Sequence, residues 1–326
     1  MPTFLRRVAP ALGLFFLAPF VSEYLLGDFP LTKIGYLFIL GPMYGGGAIL
    51  IREVARRMGK GWPTIFVFAF AYAVFEEAFT TQTLFNPNYL NLNLHLLEPA
   101  FIPALGISAW WTIFVLTLHT IWSISTSIAL VEACVPDRAS TPWLGAFGLT
   151  TDTILFVLAA VASTRFTIQH DHFIATTRQF VASAIICLGA ILIACVLPQH
   201  ASSRDENPAP SPWMAGALSL IAGSIFLVIP KAWAWGAVAF YLALDAIILL
   251  TVVKISRRSG WNARHRLALA GGAALAYAWH AFLQNPVDGT TGLTIRVSNA
   301  ICAVIVIALL IFAARRVSQY ALLTHN

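Results

Sequence analysis

The chain reads as an all-α, polytopic integral membrane bundle of about ten transmembrane helices, and three observations lead there. Hydrophobic residues make up 59% of the sequence and charged residues only 10%, against about 25% charged in ordinary soluble domains. Mean hydropathy is +0.78. Apolar runs of about twenty residues recur along the chain, the length that crosses a hydrocarbon core of about 30 Å at about 1.5 Å per residue. The runs do not alternate with a period of two, which excludes a transmembrane barrel.

In chain order the runs fall at about 8–26, 34–56, 63–84, 109–133, 143–163, 177–197, 212–229, 233–253, 267–284 and 297–314. Arg6 and Arg7 before the first run resemble the start of a signal peptide. No small-x-small cleavage site follows, so the run is expected to stay as a first helix. Only Pro230-Lys231-Ala232 parts the seventh run from the eighth, which leaves open whether they are separate spans. Cytoplasmic loops retain Lys and Arg. With ten spans and a cytoplasmic N-terminus, the outer side holds only Lys33, Arg165, Arg178, Lys231 and Arg296 of the 20 basic residues. Both termini are therefore expected on the cytoplasmic side of the cell's inner (plasma) membrane.

The polar, proline-rich stretch 198–212 reads as a cytoplasmic linker without regular structure. It divides residues 1–197, six helices with most candidate site residues, from 213–326, four helices. The long outer segment 86–108 has no Lys or Arg and mixes Asn with Leu. It is expected to lie as a flap on the outer surface, beside an aromatic belt at Trp110 and Trp111.

Several function classes drop out. The basic cluster from Lys254 to Arg266 suits topology and anionic lipid headgroups better than nucleic acid. Cys134, Cys187, Cys195 and Cys302 show no CxxC spacing and lie in or beside apolar runs, so neither a disulfide frame nor a zinc site is expected. His170-Asp171-His172 fits a solvated loop better than a metal site. Gly45-Gly46-Gly47 lacks a phosphate-loop context and fits close helix contact. Arg52 and Glu53, near a span end, are expected to snorkel. No cofactor is implied, and the expected partners are membrane lipid and a membrane-embedded peptide or lipid substrate.

The chemistry centres on Glu76 and Glu77, adjacent carboxylates inside an apolar run. One such group near a bilayer centre costs about 2.5–3.5 kcal/mol on insertion scales, so partners are required. Counting about 1.5 Å per residue, Glu23, Glu76 and His280 share one depth in the outer half, and His119 reaches a similar level. Asp152 falls near mid-depth, and Asp245 stands alone in the eighth run. Tyr72, Glu76, Thr80 and Thr83 form one helical stripe, with Glu77 and Thr81 beside it; Thr112, His119, Ser123 and Thr126 form another. A glutamate tuned toward neutral pH activates water, and a histidine opposite stabilises an oxyanion or passes a proton.

These elements resemble the CAAX-protease and bacteriocin-processing (CPBP) family of intramembrane glutamate proteases. The matching residues are Glu76-Glu77, then Phe114 with His119, then His280 followed by Gln284-Asn285. The resemblance implies that Glu76 or Glu77 activates water while His119 and His280 hold it or stabilise the oxyanion. The expectation is a metal-independent intramembrane hydrolase, with catalytic Glu76, Glu77, His119 and His280. Glu23, Tyr72, Thr80, Ser123, Gln284 and Asn285 would support them or contact substrate. The alternative is a proton-coupled transporter or lipid translocator using the same carboxylates with Asp152 and Asp245. A third is a scaffold whose polar core sets helix register.

Overall fold

The first helix shows how the sequence shapes the bundle. Residues Thr3–Pro19 form α1, and the chain then widens into a π-helical segment, Phe20–Leu25, rather than stopping. This computed structural model describes residues 3–198 and 205–324. The remaining long helices are α2 (Tyr36–Arg57), α3 (Trp62–Thr80), α4 (Ala109–Cys134), α5 (Ala146–Asp171), α6 (Thr177–Val196), α7 (Pro212–Val228), α8 (Trp235–Ser256), α9 (Ala263–His280) and α10 (Leu293–Thr324). Eight of these helices are long and apolar enough to cross a membrane; α7 is shorter and α9 is not among the eight. The all-α membrane bundle therefore stands.

The seventh and eighth runs are separate helices. Pro230 leads into a turn over Lys231–Trp233, and Ala234 at φ +44° completes the reversal into α8. The two chain ends of the bundle differ in chemistry. On the Arg-rich face, Arg138 donates to the Arg7 carbonyl and Arg316 to that of Cys134. On the opposite face, the Leu31 amide donates to Ser298 Oγ and Val287 to the Asp28 carbonyl.

Helix α4 is the axis. Ile124 and Ile128 belong to a core shared with α1, α2 and α3, while Trp122 and Leu130 belong to one shared with α9 and α10. Of the apolar window of α3, 67% is buried, against 11% for α5, so α5 presents most of its surface outward. Exposed Ile154, Leu158 and Val161 on α5 and Ile185, Leu188 and Leu192 on α6 suit contact with lipid tails.

Glycines set the closest approaches. A Cβ on Gly45 would lie 2.1 Å from the Phe15 carbonyl oxygen, and one on Gly47 would lie 2.4 Å from the Tyr72 ring. A Cβ on Gly46 would come within 3.4 Å of Asp152 Oδ1. The triple glycine thus admits α1, α3 and α5 against three sides of α2. On the other side of the bundle, α9 crosses α7 where a Cβ on Gly272 would meet the Gly216 carbonyl oxygen at 2.3 Å.

Strands are few. β1 (Phe101–Ile102) pairs antiparallel with β2 (Ile107–Ser108), giving the outer segment a small hairpin. β3 (Asp205–Pro208) pairs in parallel with β4 (Arg258–Ser259). The stretch 198–212 is thus not wholly irregular, because Asp205 and Ala209 amides find the Arg257 and Ser259 carbonyls. Its residues 199–204 lie outside the described ones.

Candidate functional site

Three helices change their winding where the site residues sit. Glu23 lies in the π segment Phe20–Leu25, Glu76 and Glu77 open another over Glu76–Thr80, and His119 opens a third over His119–Thr126. A π turn inserts a residue, rotates the side chains that follow, and recurs at functional sites. The cause is local in α3. The Glu76 carbonyl accepts from Thr80 Oγ1 at 2.7 Å, Thr81 Oγ1 at 3.2 Å and the Thr81 amide at 3.0 Å. Two adjacent threonines therefore compete for the helical ladder, and buried Gln82 at φ +56° ends the helix.

The result is one buried polar cluster. His119 Nε2 lies 2.7 Å from Glu77 Oε1, and Nδ1 lies 3.1 Å from Glu76 Oε2. Ser123 Oγ, one turn along α4, is 3.2 Å from the same Nδ1. Glu76 Oε2 has no well-directed hydrogen bond despite its closeness. Glu77 Oε2 accepts from Thr81 Oγ1 at 3.3 Å and closely from Thr83 Oγ1, which in turn accepts from Trp111 Nε1 at 3.0 Å. The Tyr44 ring stacks on the imidazole with centroids 5.9 Å apart, and its hydroxyl donates to Glu23 Oε1 at 2.6 Å. Tyr72 meets the imidazole edge-on at 6.4 Å, and its hydroxyl donates to the Met43 carbonyl.

Glu23, Tyr72, Glu76, Glu77, Thr80, His119 and Ser123 thus come together. His280 does not: it ends α9 beside Trp279 and the Leu227 main chain, with a buried Nδ1 lacking a partner. Gln284 Nε2 donates to Asp28 Oδ1 at 2.6 Å, past the end of α9, and Asn285 is exposed. A depth counted along the chain says nothing of lateral position. Asp245 Oδ2 accepts from Thr117 Oγ1 at 3.2 Å. Thr117 lies two residues before His119, about 200° round the helix, which separates Asp245 from the cluster. Asp152 lies nearer, packed at Gly46 with a buried and unpartnered Oδ2.

Tyr44 was missed by sequence reasoning. The only signal was its place immediately before the glycine triplet, at a depth close to that of Glu23. Arg52 and Glu53 do not snorkel, for both are fully buried. Arg52 donates to Glu53, to Glu132 and to the carbonyls of Arg138, Ala139 and Thr141, with its guanidinium 3.3 Å from the Trp143 ring centroid. Arg56 adds a fork onto Glu132.

The outer segment folds over the cluster's end of the bundle, where Asp171 ties it down. Asp171 Oδ2 accepts from Asn86 Nδ2 at 2.6 Å and from the Leu90 amide at 3.1 Å. Burial and the charge of Glu77 beneath push the Tyr89 phenol well above its usual range. Among the described residues no group of three His, Cys, Asp or Glu side chains is disposed to hold a metal ion.

No curated protein and no solved structure matches the chain. The family model that does match covers residues 12–325 and is not that of the CAAX-protease and bacteriocin-processing family. That finding overturns the protease resemblance, which rested on three short elements; the geometry agrees, since His280 stands apart and Gln82 occupies the end of the glutamate turn. By this nearly full-length match, the chain belongs to a family described as an uncharacterized membrane protein family.

Proposed function

We propose that the protein is a proton-coupled carrier whose proton-binding site is formed by Glu23, Glu76, Glu77 and His119. The observation that supports this most is the imidazole held between two carboxylates, with a third reached through Tyr44. A neutral imidazole has one donor nitrogen, and only the imidazolium donates from both. Three carboxylates around one imidazole cannot all stay charged in hydrocarbon surroundings. The cluster therefore shares protons among its members, and a cationic substrate or water entering it would release them. Asp152, unpartnered on the side toward the Arg-rich face, serves as the next station. The Arg-rich face is read as cytoplasmic, which puts the cluster in the outer half of the membrane.

The test is proton flux into proteoliposomes under an imposed potential, together with infrared difference spectra of protonated carboxyl groups after a pH jump. Wild-type protein is expected to carry protons and to show a carboxyl band that responds to pH. Glu77→Gln, which keeps the shape and the threonine contacts, is expected to lower flux at least tenfold, about 1.4 kcal/mol or more. A wild type with no responsive carboxyl band, or a flux unchanged by Glu76→Gln and Glu77→Gln, would rule the reading out.

A hydrolytic reading keeps one supporting observation: Glu76 Oε2 lies beside Nδ1 with no directed donor, a position a water could use. It would be favoured if a membrane-embedded peptide or lipid were cleaved by wild type and not by Glu76→Gln.

A further inference from the structure

We propose that a pocket on the Arg-rich face, between the start of α3, the end of α4 and the first turn of α9, binds a phosphate-bearing anion, supplied as the headgroup of an acidic phospholipid or as free phosphate. The pocket has a volume of about 250 Å³, and Trp62, Glu132, Ser140, Arg266 and Tyr320 supply its polar groups. Its walls are otherwise small and apolar, among them Ala129, Ala133 and Ala263.

Its donors outnumber its free acceptors. Arg266 is only partly exposed, and its guanidinium, although it feels the charge of Glu132, has no directed hydrogen bond to a described side chain. Glu132, the one acid in the wall, is already claimed by Arg52 Nε at 3.0 Å and by Arg56, whose Nη2 lies 2.8 Å from Oε2. The indole Nε1 of Trp62 is buried without a partner. A guanidinium without a directed acceptor, in a small pocket whose wall also includes Trp62, calls for a ligand that brings several acceptor oxygens. The guanidinium fork matches phosphate oxygens bidentately, and the remaining oxygens can accept from Trp62, Ser140 or Tyr320. Among the described residues the ion pairs of Arg52, Arg56 and Arg57 use the two carboxylates of Glu53 and Glu132, and Arg266 beside them leaves this group with an excess of positive charge. The site is independent of the Glu–His cluster.

The experiment uses the full-length protein in non-ionic detergent and native mass spectrometry. The probes are short-chain phosphatidylglycerol, short-chain phosphatidylcholine and inorganic phosphate. Phosphatidylglycerol is expected to bind more tightly than phosphatidylcholine. Arg266→Gln is expected to weaken that binding about tenfold, with Trp62→Phe weakening it less. Arg264→Gln, an exposed change on the same helix, is expected to leave it unaltered. If inorganic phosphate binds with the same Arg266 dependence and competes with the lipid, the anion site stands and its occupant is a free phosphate. Binding that is equal in wild type and Arg266→Gln, or lost equally in Arg264→Gln, overturns the proposal. Should Arg266→Gln fail to yield folded protein, Trp62→Phe and Arg266→Lys carry the same comparison, the lysine keeping the charge without the fork.

Discussion

Arg52 is the residue whose surroundings commit most to one side chain. It is fully buried and bonded to two carboxylates and three carbonyls. Removing one partner of a buried ion pair typically costs about 3–5 kcal/mol, because the other charge is left uncompensated. Arg52→Gln is therefore expected to lower thermal stability by that order or to abolish accumulation, measured by fluorescence-detected gel filtration after heating. A residue at the opposite face makes a pH-dependent contribution. Burial, and then the charge of Glu23, push the Asp28 carboxyl, in the loop after α1, up to about 8, against the hydrogen bond from Gln284. Between its ordinary range and about 8, the folded protein holds a proton that the unfolded chain releases, so stability falls as pH rises through that window. Asp28→Asn is expected to flatten the stability profile between pH 5 and 8; an unchanged slope would show that Asp28 does not cause it.

At the scale of elements, the π segments and the glycine triplet decide the site. The 3.6-residue period holds in α3 as far as Tyr72 and Glu76, where the helix widens; Thr80 and Ser123 lie inside widened turns, and they still meet Glu76 and His119 through the Glu76 carbonyl and His119 Nδ1. The widening itself was not legible, since it depends on whether threonine hydroxyls win the Glu76 carbonyl from the ladder. The glycines offer a direct comparison. Gly45→Ala would drive a Cβ into the Phe15 main chain, and overpacking of this kind costs about 1–3 kcal/mol or more. Gly189, inside α6, has nothing within 4 Å of its would-be Cβ. There alanine is expected to be neutral or to stabilise by about 0.5–1 kcal/mol through helix propensity. Melting temperatures of the two variants should move in opposite directions or differ clearly; equal losses would contradict the close α1–α2 crossing.

For the whole molecule, the ordering of charge gives a topology that can be tested. The basic clusters gather at one face, with Arg57, Lys60, Arg138 and Arg316 near one another's loops, and the hairpin segment lies at the other. Both termini are expected to face the cytoplasm. Single cysteines introduced at Ser259 and at Asn93 in a cysteine-free background should react from opposite sides with a membrane-impermeant maleimide. Labelling of Ser259→Cys in intact cells, with Asn93→Cys protected, would invert the assignment. By exposure, α1–α4 are wrapped while α5, α6 and α8 largely face outward.

The sequence by itself determined the all-α membrane architecture and the positions of the helices along the chain, and it singled out Glu76, Glu77 and His119 together with His280. These follow from hydropathy, helical period and rise, which are properties of short stretches and of one axis, the membrane normal. Only the tertiary structure decided which residues at one depth meet. It brought Tyr44 to Glu23, kept His280 and Asp245 apart from His119, and buried Arg52 where a span end had suggested snorkelling. Lateral position and azimuth come from packing among helices distant in sequence. A single π turn rotates the following side chains by about 100°, enough to decide whether a carboxylate faces an imidazole or lipid.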